Sequence, residues 1–254
     1  MASNPPQACC FKGYPQTGTI QGKMTKMFGI ETYVTGSSPI EDRVLVICTD
    51  VFGLQLKHNK LVADALAAGG YKVVVPDILF GDALERLDET VDFVAWREKH
   101  NVTKTRAIVD KFMEGLKKEY NPKFIGVVGY CFGAKYAIQQ IHATKGLAEV
   151  AAIAHPSFVS IEEIEAIGSK KPLLISAAEI DTVYTAELRH QTEAKLKEIK
   201  AIYQQDLFGG VEHGFSIRGD ESIPQNVYAK EKVLFDQLYW FDYFFKKSKK
   251  CCKD

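Results

Sequence analysis

One thiol, Cys131, stands midway between two glycines in Gly129-Tyr-Cys-Phe-Gly133. This is the spacing of a nucleophile elbow, G-x-S-x-G, with sulfur in place of oxygen. A strand that turns abruptly into a helix holds its corner residue in a strained conformation. Glycines two positions to either side let the neighbouring chain pass without a Cβ clash. The corner side chain then stands at the carboxyl end of the sheet. The next amide, that of Phe132, points into the same space from a helix start, where developing negative charge is stabilised. Nucleophilic acyl transfer needs two more groups: a base for the thiol proton and an acid that orients the base. His213 and Asp181 supply them in the chain order nucleophile, acid, histidine. Two alternatives stand beside this: Glu179 rivals Asp181 as the acid, and Asp181 could serve only to cap the following helix. A free cysteine is more often a small buried hydrophobe than a nucleophile, so the elbow depends on the elements around it.

Those elements are legible. Phe124–Val128 is a short apolar run of β-branched and aromatic residues, a buried strand, and the alanine-rich stretch after Gly133 is a helix over 134–143. Arg43–Thr49 fits a central parallel strand, followed by the loop Asp50-Val-Phe-Gly53 and a helix over 57–68 that Gly69-Gly70 stops. Further strands are expected at 71–76, 150–154, 172–177 and 201–207, and helices at 103–118, 161–167, 185–199 and 225–245. One or two antiparallel edge strands fit 18–36. Residues 77–101 read as a loop and helix covering the site. Strands alternating with helices make an α/β protein with a mostly parallel, doubly wound sheet. Ligands gather at the carboxyl ends of such strands, where Asp50, Cys131, Asp181 and His213 fall together. A second oxyanion donor should come from the loop after the first central strand, at Val51. His155, at another strand end, lines the pocket or caps a turn. His58, His100, His142 and His190 sit on expected helices as surface residues, and Cys48 belongs to the core.

The 254 residues suffice for one domain with a sizeable core. The expected organisation is a flexible tail over 1–12, a domain over 13–245 and a basic tail over 246–254. Lys+Arg and Asp+Glu both number 32, so no nucleic-acid partner is expected. No apolar run reaches membrane-spanning length, so no integral membrane association is expected either. Cys251 and Cys252 beside lysines could be acylated, although a disordered basic end explains them too. The six cysteines form no C-x-x-C, which makes a metal site unexpected. Without signal-peptide features at the N-terminus, a reducing, cytoplasmic setting is expected, as a monomer or homodimer. No G-x-G-x-x-G follows the strand at 124–128 and no G-K-[ST] occurs, so no nucleotide or other cofactor is expected.

Gly129-Tyr-Cys-Phe-Gly-Ala134, Asp50-Val-Phe-Gly-Leu54, Val75-Pro-Asp77 and His213-Gly-Phe215 together resemble the dienelactone hydrolase (carboxymethylenebutenolidase) family over about residues 10–245. The resemblance implies an α/β-hydrolase fold and a Cys131-His213-Asp181 triad that opens a small lactone or ester. It implies Val51 and Phe132 as oxyanion donors, and a pocket that includes Phe52, Tyr130, His155, Phe215 and Arg218. It also implies a thiol-modulating carboxylate, Asp50, where bacterial members carry the longer Glu. An anion beside a thiol disfavours thiolate, which predicts a resting Cys131 less reactive than a His-paired cysteine protease thiol. Bacterial members clamp a substrate carboxylate with two arginines. The first position falls near Gly81 and is missing here, and Arg218 lies one residue from the second, which favours a less acidic lactone, ester or thioester. The alternatives are a non-catalytic member of the fold that binds a small molecule or partner, and a redox-sensing thiol protein.

Overall fold

The structure is a computed structural model, and it describes residues 1–11, 13–85 and 92–251. Its strands are β1 (Lys23–Met27), β2 (Ile30–Thr35), β3 (Arg43–Cys48), β4 (Lys72–Pro76), β5 (Phe124–Tyr130), β6 (Val150–Ala154), β7 (Leu173–Ile180) and β8 (Tyr203–Glu212). Its helices are α1 (His58–Ala68), α2 (Phe93–Lys99), α3 (Val102–Glu119), α4 (Gly133–Gln140), α5 (Ile161–Ala166), α6 (Ala186–Glu198), α7 (Phe215–Arg218) and α8 (Pro224–Cys251). The strands form one sheet in the order β1-β2-β4-β3-β5-β6-β7-β8. The two N-terminal strands pair antiparallel, with each other and with β4, and every later pairing is parallel.

The central strands carry apolar residues on both faces because both faces are covered. Val44, Val46 and Val127 pack with Phe112 and Met113 of α3, Ile138 of α4 and Leu196 of α6. Their neighbours in sequence, Leu45, Ile47 and Val128, pack on the other side with Ala63 and Leu66 of α1 and with Val233 and Phe241 of α8. This is a single α/β-hydrolase domain. Among the described residues no helix is long and apolar enough to cross a membrane.

The two ends depart from expectation. In place of a loose tail, the first eleven residues are threaded against the domain. Ala2 and Ser3 N–H donate to Val159 O at 3.0 and 2.9 Å, Asn4 N–H donates to Val183 O at 2.8 Å, and Phe158 N–H donates to Asn4 O at 2.9 Å. Ala2, Ser3 and Cys10 are buried, and Ala8–Phe11 closes a 3-10 turn. Isolated short polar stretches carry no periodicity, so only tertiary pairing fixes this segment. At the other end α8 continues to Cys251, through most of the expected basic tail; residues 252–254 lie outside the described residues. The expected covering element over 77–101 is represented by α2, whose Trp96 meets the Phe132 ring edge-on at 5.6 Å. Residues 86–91 of that stretch lie outside the described residues.

Candidate active site

β5 runs into its turn at Cys131, whose φ of +51° is left-handed, a conformation that costs a non-glycine residue about 1–2 kcal/mol. The flanking glycines make the corner possible. A Cβ on Gly129 would meet Ala134 Cα at 2.6 Å, and a Cβ on Gly133 would run into the carbonyls of Cys48 and Thr49 at the end of β3. Phe132 caps the N-terminus of α4. Among the described residues, neither the Phe132 nor the Val51 N–H donates to an acceptor within the protein.

His213 leaves the end of β8, and its ring joins the other two groups. Nδ1 lies 2.8 Å from Asp181 Oδ2 and Nε2 lies 3.2 Å from Cys131 Sγ. Asp181 also accepts from the Val183 and Tyr184 N–H groups at 2.8 and 3.0 Å, so the carboxylate is fixed from both sides. The helix α6 has its own cap, Thr185, which removes capping as the reason for Asp181. Glu179, the rival acid, instead accepts from Gly210 N–H at 2.7 Å, away from the ring. His155 is fully buried, with Nε2 2.8 Å from Ser216 Oγ and its ring edge-on to His213 at 5.0 Å.

Asp50 is not solvated. It is fully buried and takes hydrogen bonds from Arg218 Nη1 at 2.9 Å, Asn59 Nδ2 at 2.9 Å and the Phe52 N–H at 3.2 Å, with His58 Nε2 3.2 Å away. The reading of His58 as a surface residue is therefore wrong: as the first residue of α1 it turns inward to reach this carboxylate. His100 is also buried, 2.7 Å from Asp82 and against the Trp96 ring. His190 is exposed and His142 half-buried, both on the periphery, and Cys48 is core.

Burial alone would raise Asp50, but His58 and Arg218 outweigh it and hold the carboxyl below its ordinary range. Burial likewise opposes ionisation of Cys131. The neighbouring Cys10 thiol and the charge of His213 oppose it and draw Cys131 well below an ordinary thiol. Burial opposes a charged His213 too, yet Cys131 and Asp181 lift it to about 10. Both shifts favour a thiolate–imidazolium pair, the opposite direction to the expected suppression of the thiolate by Asp50. The Asp50 carboxylate is already paired with Arg218 and hydrogen-bonded within its own buried cluster, which limits what it can do to the thiol.

Cys10 is the residue that sequence reasoning missed. Its Sγ lies 3.4 Å from His213 Nε2, the ring nitrogen that Cys131 also faces, and its carbonyl accepts from Arg218 Nη2 at 3.0 Å. Cys9 is partly exposed, with Sγ 3.3 Å from Thr182 Oγ1. The adjacent pair was visible in the sequence, but nothing local placed it at a strand end. Ligand atoms of Cys9, Cys10 and His213 lie within 4.8 Å of one another, the arrangement among the described residues that a soft metal ion would suit. His213, however, is already engaged at both ring nitrogens.

The expected pocket residues divide. Phe52 and Arg218 line a cavity of about 380 Å³ with His58 and Tyr14. Phe215 and Arg218 border a smaller one of about 130 Å³ beside His213. Tyr130 turns away from the thiol. Its hydroxyl donates to Gln237 Oε1 at 2.9 Å, and it borders a separate cavity of about 460 Å³ against α1 and α8. Cys131 itself has no exposed surface.

A thiol on a left-handed strand-to-helix turn, with histidine and acid at the ends of later parallel strands, defines the α/β-hydrolase class. Residues 30–245 match the dienelactone hydrolase family, and the chain belongs to that family. It is 35% identical over 250 residues to Hydrolase pyvD of Aspergillus violaceofuscus, covering 97% of this chain and 100% of that protein. It is 32% identical over 197 residues to the carboxymethylenebutenolidase homolog of Mus musculus, covering 76% and 78% of the two chains. Among solved structures, a dienelactone hydrolase from Anabaena variabilis superposes with a TM-score of 0.66 at 11% identity, over 88% of this chain and 98% of that one.

Proposed function

We propose that the protein is a cysteine-dependent hydrolase that opens a small lactone or ester through an acyl-thioester. The observation that carries this reading is the His213 ring bridging Cys131 Sγ at 3.2 Å and Asp181 at 2.8 Å. Family membership and relatives named as hydrolases support the reaction class.

In this reading the Cys131 thiolate attacks the substrate carbonyl, and the Phe132 and Val51 amides hold the oxyanion. The imidazolium of His213 gives its proton to the leaving oxygen as the tetrahedral adduct collapses to the thioester. Neutral His213 then takes a proton from water, whose oxygen attacks the thioester and regenerates the thiolate and the charged ring. Asp181 holds the tautomer and stabilises the imidazolium throughout. Arg218 is engaged by Asp50 and Cys10 and no arginine stands at Gly81, which supports a neutral substrate over one that bears a carboxylate. Substrate reaches the sulfur once the Ala8–Phe11 turn lifts.

The test is a burst of p-nitrophenolate from a simple ester in the wild type. The burst is expected to vanish in Cys131→Ala and persist in Cys48→Ala, and Asp181→Asn should lower turnover on the order of 10³–10⁴-fold. A wild type without ester or lactone turnover across a substrate panel would overturn the reading.

A further inference from the structure

We infer that Cys10 and Cys131 are a site of reversible oxidation, in which Cys10 resolves an oxidised Cys131 into a disulfide that locks the N-terminal segment over the site. Both sulfurs address one atom, His213 Nε2, at 3.4 and 3.2 Å. Both residues are fully buried. Two thiols that converge on one histidine nitrogen form an arrangement that can convert a sulfenic acid to a disulfide before further oxidation. A third thiol, Cys9, is partly exposed, and its sulfur lies within 4.8 Å of the Cys10 sulfur. Cys48 is the internal contrast: it is equally buried, but with no charged partner burial pushes it up to about 12.

The oxidant is a hydroperoxide, small enough to arrive when the Ala8–Phe11 turn breathes. The Cys131 thiolate attacks the terminal peroxide oxygen and the O–O bond breaks. His213 protonates the departing oxyanion, leaving Cys131 sulfenic acid and an alcohol, or water when the oxidant is hydrogen peroxide. Cys10 sulfur then attacks the sulfenic sulfur, the S–O bond breaks, and the Cys10 proton leaves with the hydroxyl as a second water. Two thiols lose two electrons and the hydroperoxide gains them. An external dithiol reverses the change by thiol–disulfide exchange.

The fold supplies the consequence. Residues Ala2–Asn4 are hydrogen-bonded to the chain at 158–159 and Val183, and Arg218 holds the Cys10 carbonyl. A bond from Cys10 to the sulfur of the elbow therefore fastens a segment already anchored upstream, and closes the approach to Val51 and Phe132. That loss of turnover presupposes Cys131 as the hydrolytic nucleophile, whereas formation of the disulfide does not.

The experiment treats the full-length protein with a few equivalents of hydrogen peroxide at neutral pH, alkylates remaining thiols and maps tryptic peptides by mass. The expected product joins peptide 1–12 to peptide 124–135 with the loss of two hydrogens, and dithiothreitol separates them. Cys9→Ser should keep the link. Cys10→Ser should lose it, and its Cys131 should gain two or three oxygens that dithiothreitol does not remove. Ester turnover followed in parallel should fall by at least tenfold and return with dithiothreitol in wild type. No joined peptide in wild type, a disulfide confined to peptide 1–12, or a link that survives in Cys10→Ser would each overturn the inference. Should Cys10→Ser fail to fold, the wild-type and Cys9→Ser maps still decide it. A joined peptide in a protein without ester turnover would sink the hydrolase reading and leave the disulfide standing.

Discussion

Arg218 Nη1 lies 2.9 Å from Asp50 Oδ2, with both side chains shut away from solvent. The arginine side chain is wedged between glycines: a Cβ on Gly13 would collide with its aliphatic stem and one on Gly214 with its guanidinium. Gly214, at φ +91°, also starts the short α7 that carries Arg218. Breaking a buried pair by removing one partner leaves an uncompensated charge, typically at about 3–5 kcal/mol, whereas replacing both partners with neutral groups is far milder. Arg218→Met should therefore destabilise the fold by about that amount, and Asp50→Asn/Arg218→Met should recover much of it. Urea unfolding of the wild type, Arg218→Met, Asp50→Asn and the double variant measures this, and simple additivity of the two single losses would count against the pair.

The same pairing governs substrate choice. A guanidinium already committed to Asp50 and to the Cys10 carbonyl has little left for a substrate carboxylate, and Gly81 offers no replacement. A neutral lactone and its carboxylate-bearing analogue should differ by less than about tenfold in kcat/KM, below the 1.4 kcal/mol that a retained charge clamp would exceed. Strict dependence on the carboxylate would show that Arg218 leaves Asp50 when substrate arrives.

The sheet, the elbow and the three groups around it were legible because each rests on a local rule. Buried strands read as apolar runs, and the elbow demands glycine where Gly129 and Gly133 face other backbone. His213 and Asp181 end strands of a parallel sheet whose carboxyl ends converge. The residues that tune the site were not legible. His58 faces inward only because α1 starts directly below Asp50, and a helix-borne histidine has no sequence mark for that. Cys10 lies 203 residues from His213 along the chain, and only hydrogen bonds from Ala2–Asn4 to distant loops bring it there. The expectation of a quiet thiol counted Asp50 without the Arg218 guanidinium that pairs with it.

The ionisation of the pair fixes a pH profile. Cys131 is drawn well below an ordinary thiol and His213 is lifted to about 10. The acid limb of single-turnover acylation should thus reflect protonation of Cys131, and the alkaline limb loss of the His213 proton near pH 10. Between them the rate should be flat, including pH 7 to 9, where an ordinary thiol would still be ionising. For stability the raised histidine contributes fully below its unfolded value near 6.5 and fades toward 10. The lowered thiol contributes fully above its unfolded value near 9 and fades as pH falls. The two slopes cancel between about 6.5 and 9. Stopped-flow acylation that climbed tenfold per pH unit up to pH 9 would rule the ion pair out.

Gly133 and Gly81 separate close approach from backbone conformation. A Cβ on Gly133 would meet the Cys48 and Thr49 carbonyls, backbone that cannot move without carrying Asp50 and Val51 away from the elbow. Gly81 has φ +72° but open space around its missing Cβ. Gly133→Ala should cost more than about 3 kcal/mol, the upper range for forcing atoms into a packed core. It should also depress acylation, since the end of β3 shifts relative to the nucleophile. Gly81→Ala should cost only the left-handed penalty of about 1–2 kcal/mol, with turnover unchanged. Thermal melts and single-turnover rates of the two variants check this together. A Gly133→Ala protein with wild-type stability and rate would mean that the end of β3 is not seated on the start of α4, and that Val51 is not held where an oxyanion donor must be.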